Sequence, residues 1–276
     1  MKKQISTIAL LLGLGAGGAG AGIEGQADVN IGHLAPFADT IAGTEVSIDV
    51  NGEEAVDSLF FKEFTGYTNL AGPGNPFDVD VDVFPAGAVS PAISGTLSLE
   101  NGFDYTVAAI GGANEWPLEF LVLVDSQAIR GETEALVRIV HAAPFASDLG
   151  DTEVDIRFDE GGALPGLTNV PYKVDSGFFP LDAGTYDLQV TTPGGGTTLI
   201  DPAPVTLNAG DVVTIFAVGD ITNQPVGAVA FFEDGTVVDL PLERGVPETR
   251  AVPTLGWLGI ALMALLLGGI GVRRMI

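Results

Sequence analysis

The chain repeats itself. The stretch Val29-Asn30-Ile31-Gly32-His33-Leu34-Ala35-Pro36-Phe37-Ala38 returns 108 residues later as Val137-Arg138-Ile139-Val140-His141-Ala142-Ala143-Pro144-Phe145-Ala146. At the same spacing Thr44-Glu45-Val46-Ser47-Ile48 meets Thr152-Glu153-Val154-Asp155-Ile156, and Gly102 and Gly111 meet Gly210 and Gly219. A solenoid unit runs about 20–50 residues, too short for this period. A complete β-sandwich of about 100 residues fits it. The expectation is therefore two tandem domains, residues 28–126 and 135–242, joined by a short polar link at 127–134.

Within each copy the hydrophobic pattern has the period of a strand. Val154, Ile156 and Phe158 alternate with Glu153, Asp155 and Arg157, and Val46, Ile48 and Val50 repeat the pattern. One face of such a strand is buried and the other wet. Residues 186–190, 212–218 and 226–232 read as further strands. Turn pairs such as Asn51-Gly52, Asn101-Gly102 and Asp234-Gly235 fall beside them. No amphipathic helix is evident between the ends. The fold class is all-β, with two tandem immunoglobulin-like or transthyretin-like β-sandwich domains.

The two ends follow another logic. Met1-Lys2-Lys3, then an apolar run, then small residues is the order of a secretory signal peptide. The expected signal covers residues 1–27, with cleavage after Ala27; Ala19-Gly20-Ala21 is the competing site. At the other end an uncharged run from Leu255 to Val272 precedes Arg273-Arg274. At 1.5 Å per residue it spans about 27 Å, enough for a transmembrane helix. Trp257 suits one interface, and the arginines suit the cytoplasmic side. Residues 243–251 form the linker to this tail.

Composition excludes several classes of function. The chain has 36 acidic and 11 basic residues, a net charge of -25. Such a surface repels a phosphate backbone, so no nucleic-acid partner is expected. With no cysteine there is no disulfide, no thiolate metal site and no cysteine nucleophile. Neither a phosphate loop nor a Gly-x-Ser-x-Gly elbow occurs.

Two resemblances come from particular motifs. The strand Val29 to His33 followed by Ala35-Pro36, and again Val137 to His141 followed by Ala143-Pro144, resembles the bacterial domain-of-unknown-function family 4397. So do Tyr172-Lys173 to Gly177 and Pro180-Leu181-Asp182-Ala183-Gly184-Thr185-Tyr186. The first copy keeps Phe61-Lys62 to Gly66-Tyr67 and then opens into Pro73-Gly74-Asn75-Pro76. This resemblance implies an exported β-sandwich and no established activity. The tail Val252-Pro253-Thr254-Leu255, apolar run and Arg273-Arg274 resembles the IPTL-type sorting signals, relatives of the PEP-CTERM tails. Valine stands where that family has isoleucine, and Gly256-Trp257 where it has Ser-Glu-Trp. This second resemblance implies membrane insertion, processing by an exosortase-like enzyme, and delivery to the cell surface.

The candidate sites are few. His33 and His141 are the only histidines and occupy equivalent places on inward strand faces. A structural bond to backbone, where the strand bends before Ala-x-Pro, is the expected role. Asp78, Asp80 and Asp82 share one face of a strand and are the weak metal candidates, for calcium with help from Glu53 or Glu54. No EF-hand is present, because Val83 and Val89 stand where Gly and Glu are required. Phe60, Phe61, Phe64 and Tyr67 are core residues or a carbohydrate surface. No catalytic residue and no cofactor is expected. The resulting expectation is an exported, surface-anchored, non-enzymatic protein with a structural, adhesive or matrix role. A calcium- or polysaccharide-binding module is the alternative, and a secreted hydrolase ranks below both.

Overall fold

The computed structural model describes residues 24–125, 133–159, 161–240 and 242. The expected signal up to residue 23, most of the link, the linker 243–251 and the sorting tail lie outside the described residues. Val252, Pro253, Thr254, Leu255, Arg273 and Arg274 belong to that tail. Among the described residues no helix is long and apolar enough to cross a membrane.

The described chain is all-β. The first repeat contributes β1 (Glu24–His33), β2 (Val46–Val50), β3 (Glu53–Leu59), β4 (Glu63–Phe64), β5 (Thr68–Pro73), β6 (Phe77–Pro85), β7 (Ile93–Leu99), β8 (Asp104–Ile110) and β9 (Glu119–Asp125). The second contributes β10 (Glu134–His141), β11 (Asp155–Phe158), β12 (Phe179–Asp182), β13 (Gly184–Tyr186) and β14 (Leu188–Thr191). Then come β15 (Thr198–Ile200), β16 (Val205–Leu207), β17 (Val212–Val218), β18 (Gly227–Phe232) and β19 (Val237–Leu240).

These strands form two sandwiches of the same plan. In the first, sheet I runs β1-β8-β9, with β4 and β5 on the other side of β1, and sheet II runs β3-β2-β6-β7. In the second, sheet III runs β12-β10-β17-β18-β19, and sheet IV runs β11-β14-β15 with the small pair β13-β16 beside it. The opening strand of each repeat lies parallel to a late one. Val29 pairs with Tyr105, and Val137 pairs with Val213. The 108-residue offset relates β1 to β10, β8 to β17 and β9 to β18. In between it slips to 111, so Phe61-Lys62 corresponds to Tyr172-Lys173.

The repeats are not separate beads. Residues up to Leu242 form one compact unit with three apolar cores. One lies inside each sandwich, with Val29, Ile48 and Val107 in the first and Val137, Ile156 and Ile215 in the second. The third lies between the sandwiches, where sheet I faces sheet III. Six residues of the first repeat, including Leu34, Phe64 and Ile110, meet seven of the second, including Val140, Phe216 and Phe231. The inner sheets are therefore covered on both faces and the outer ones on a single face. Their burial shows it: β17 is buried at six consecutive positions, whereas β6 alternates over most of its length.

One expectation changes in detail. Residues 186–190 are not one strand. Tyr186 ends β13, which pairs with β16, while Leu188 opens β14, which pairs with β11. The expected signal cleavage after Ala27 falls inside β1. Gly25 and Ala27 pair with Gly72 and Leu70 of β5, and Ala27 is buried in the first core.

Gly111 and Gly219, matched at the repeat spacing, follow β8 and β17 with φ of 83° and 92°. A Cβ on Gly111 would sit 1.9 Å from the Pro117 carbonyl oxygen, and one on Gly219 2.2 Å from that of Pro225. Both atoms belong to backbone and cannot swing aside. Gly111→Ala and Gly219→Ala should each cost about 3 kcal/mol in urea unfolding. Gly52→Ala, at φ 78° but in open space, should cost about 1 kcal/mol.

Candidate functional site

The polar side chains with the most unusual surroundings lie between the repeats. Arg138 projects from β10 toward the first repeat and is 2% exposed. Its guanidinium pairs with Asp125 of β9, itself 8% exposed. Arg138 also donates to the Thr214 hydroxyl (Nε 3.1 Å, Nη2 2.9 Å) and to the Val124 carbonyl (3.2 Å). It stacks over the Phe178 ring at 4.5 Å. Asp125 accepts further bonds from Tyr67 Oη (2.6 Å) and Thr106 Oγ1 (2.7 Å). Burial first, and the Asp125 charge second, push the Tyr67 hydroxyl well above its usual pKa, so it stays protonated and donates.

Equivalent residues meet at this place. Thr106 and Thr214 are counterparts, as are Asp125 and Glu233, Asp104 and Val212, and Tyr67 and Phe178. A shallow cleft, open to solvent, is lined by Tyr67, Phe178, Phe231, Asp104, Asp125 and Glu233. Desolvation, then Asp28, Asp125 and Glu233, raise the pKa of Asp104. The cleft has an aromatic wall and a carboxylate rim. Water or a small polar group fits it better than a drug-sized ligand, which needs deeper enclosure.

At the opposite end the two repeats clasp each other reciprocally. Trp116 Nε1 donates to the Ala146 carbonyl at 2.7 Å, and Gln224 Nε2, its counterpart, donates to the Ala38 carbonyl at 2.7 Å. Asn114 Nδ2 reaches the Pro144 carbonyl (2.6 Å), and Asn223 Nδ2 reaches that of Pro36 (2.9 Å). Lys173 pairs with Glu119 at 2.5 Å and Lys62 with Asp239 at 2.8 Å, each across the interface. The contact of Trp116 with Ala146 recurs as Gln224 with Ala38, the pattern of an isologous interface, while the asparagines and the acids that meet the two lysines are not strict counterparts. The Ala-Pro-Phe-Ala turns, noticed in the sequence as a motif, are the receptors of this clasp.

The histidines act inside each repeat. His33 Nε2 lies 2.7 Å from the Thr44 carbonyl, and His141 Nε2 2.8 Å from that of Thr152. Each ring stacks on the phenylalanine of its own Ala-Pro-Phe turn, Phe37 or Phe145. Desolvation lowers both pKa values to about 4, so both rings are neutral. The bond to a carbonyl makes Nε2 the protonated nitrogen. The partner is thus a carbonyl about ten residues downstream, in the short 3-10 turn before the next strand.

The remaining sequence candidates do not join this site. Asp78, Asp80 and Asp82 lie along the outer face of β6, opposite Ser98, Thr96 and Ser94 of β7. Asp80 accepts a bond from Thr96 Oγ1 at 2.7 Å. Among the described residues no three His, Asp or Glu side chains gather as a metal ion needs. Phe61 and Phe64 are 4% exposed in the core between the repeats. That leaves Phe60 and Tyr67 as the half-exposed members of the proposed aromatic surface. The sequence reading missed Arg138, Asp125 and Trp116. A signal existed for the first: Arg138 interrupts an otherwise apolar run from Ala135 to Val140.

A family model described as "Domain of unknown function (DUF4397)" matches residues 27–150 and 148–239. No curated protein matches the chain. Among solved structures, the Bacillus anthracis TIE protein is 14% identical, over 71% of this chain and 34% of that one, with a TM-score of 0.17. The chain therefore spans about a third of that protein. A CBM26 module of Eubacterium rectale Amy13K, solved with maltoheptaose, is 11% identical over 79% and 98% of the two chains, TM-score 0.19. A Parabacteroides distasonis fimbrial assembly protein is 11% identical over 78% and 99%, TM-score 0.20. These likenesses are too loose to carry a functional reading.

Two measurements check the electrostatics. Asp125→Ala strands the Arg138 charge and should cost about 3–5 kcal/mol in urea unfolding, whereas Asp125→Leu combined with Arg138→Leu should recover most of it. Neutral buried histidines bind fewer protons than unfolded ones between about pH 6.5 and 4. Their contribution is complete above 6.5 and is lost as pH falls toward 4, on the order of 3 kcal/mol each. The double variant His33→Gln, His141→Gln should melt with a flatter dependence on pH in that window.

Proposed function

Because the chain belongs to the DUF4397 family of domains of unknown function, its role has to come from its own construction, and we propose an exported, surface-anchored, non-enzymatic protein with a structural, adhesive or matrix role. The observation that carries this reading is the fused block itself. Two sandwiches share a third core, and the groups best suited to chemistry are spent on holding it. His33 and His141 anchor turns, Arg138 pairs with Asp125 across the interface, and Tyr67 donates to the same carboxylate. A rigid block of this kind displays its loops at fixed spacing away from whatever it is attached to.

The ends of the sequence supply the address. The basic and apolar start directs export, and the Val252-Pro253-Thr254-Leu255 tail with Arg273 and Arg274 anchors the protein in the envelope and submits it to an exosortase-like enzyme. The pairing of β1 from Glu24 onward favours cleavage at the competing site, after Ala21, over cleavage after Ala27. A cut at Ala27 would strip four paired residues from the first strand.

Cell fractionation and mass spectrometry test this reading together. The protein should be found in the envelope with a mature N-terminus at Gly22, and deletion of residues 252–276 should release it in soluble form. A truncated protein still in the membrane fraction would overturn the tail assignment. A rise in melting temperature with millimolar calcium, lost in Asp80→Asn, would favour the calcium-binding reading instead.

A further inference from the structure

β9 is the outermost strand of sheet I; among the described residues no strand pairs with its outer side, where the Val124 carbonyl takes a bond from Arg138 Nη1 (3.2 Å). Its counterpart β18 is covered by β19, antiparallel from Phe231 opposite Val237 to Ala228 opposite Leu240. Among the described residues a further strand thus caps this edge in the second repeat and none does in the first. Natural edge strands are guarded by lysines, prolines or bulges. β9 has none of these. It reads Glu-Phe-Leu-Val-Leu-Val-Asp and pairs with β8 over seven residues without a register shift. Val122 and Val124 are 44% and 50% exposed. Both end carboxylates already have partners, Glu119 in Lys173 and Asp125 in Arg138.

We propose that β9 is a strand-addition site whose occupant is β9 of a second copy of this chain, antiparallel about Val122. In that register Val122 faces its own counterpart, Phe120 faces Val124 and Leu121 faces Leu123, so every inner rung is apolar on apolar. Glu119 falls opposite Asp125 of the second copy, and the lysine and arginine already bound to them offset the like charges. The pairing also extends an existing interface, because Leu121 and Leu123 belong to the core between the repeats. It is isologous and therefore closes at a dimer. Two chains of net charge -25 repel each other, and salt screens that repulsion. Dimerisation therefore strengthens as ionic strength rises. This goes beyond the surface role and holds whatever the protein's location.

The chain has no cysteine, so a single introduced thiol reports on the register. Facing residues of paired strands have Cα atoms about 4.5–5.5 Å apart, within reach of a disulfide. Val122→Cys in the full chain, purified in detergent and oxidised, should give a disulfide-linked dimer in high salt and much less in low salt. Val238→Cys on β19 should give little in either. Sedimentation should show the unmodified chain moving from monomer to dimer with added salt. Val122→Lys should stay monomeric with an unchanged circular dichroism spectrum, and Val124→Lys serves if Val122→Lys fails to fold. No crosslink from a maleimide-reactive Val122→Cys thiol would overturn the proposal. So would equal crosslinking of Val238→Cys, or an open series of oligomers, which would mean β9 pairing with β19 of the next chain.

Discussion

Sheet I and sheet III press their outward faces together, and most of what is unusual in this molecule follows from that contact. Each fully buried apolar side chain contributes about 1.5–3 kcal/mol, and thirteen buried residues make up the shared core. A separated repeat would expose a face of this size to water, where apolar patches are seldom left bare in a soluble monomer. Four sheets stacked II, I, III, IV are therefore the stable arrangement. It also explains the reciprocal hydrogen bonds, since two copies of one sandwich that bury the same face must meet about a pseudo-two-fold axis.

Duplication within one chain frees the halves to diverge across that axis. Arg138 in the second repeat corresponds to Asn30 in the first, and its partner Asp125 corresponds to Glu233. In a symmetric pair of identical chains, two buried guanidiniums would have to be satisfied. Here a single arginine carries the ion pair, and Asn30 accepts a bond from the Gly66 amide (3.1 Å). One buried ion pair is easier to satisfy than two, because every guanidinium taken from water needs its full set of acceptors. The asymmetry at β9 and β18 has the same origin. The residues that continue past β18 fold back as β19, while those that continue past β9 must lead to the second repeat at β10.

Much of this was legible in the sequence, and the limits have physical causes. Alternation marked β2 and β6 because each has one wetter face, but it misled in β11, where Asp155 is buried among hydrogen bonds and Phe158 is exposed. The runs in β10 and β17, Ala-Leu-Val-Arg-Ile-Val and Val-Val-Thr-Ile-Phe-Ala-Val, read only as strands, although the lack of alternation is what burial on both faces looks like. The third core was thus written in the sequence as missing polar residues rather than as a motif. Phe61 and Phe64 remained ambiguous because an aromatic side chain suits a core and a binding face equally well. The break at Asp187 was invisible, since Tyr186 and Leu188 have ordinary strand character on either side of it. The pairing of Arg138 with Asp125 joins residues close in sequence, but only the meeting of two sheets makes them neighbours.

The histidines link the motif to the interface. His33 bonds the Thr44 carbonyl, and Thr44 Oγ1 in turn accepts from the Phe61 amide (3.0 Å). Phe61 stands in the shared core. The second repeat repeats the sequence of contacts through His141, Thr152 and the Tyr172 amide (3.1 Å), and Tyr172 stands in the same core. A residue buried on the inner face of one sandwich therefore holds the backbone that presents an aromatic ring to the other. Lys62 and Lys173 follow those rings, both at φ near 70°, and their amides return to the carbonyls of His33 and His141 (2.8 Å each). The left-handed turn aims each lysine at an acid of the opposite repeat. Each histidine, threonine, aromatic and lysine set is one device for joining sandwiches, and it needs the imidazole as a neutral, buried donor. In that office the Nε2 proton of each histidine is held by a threonine carbonyl, which ties the chain's two most reactive-looking residues to its architecture.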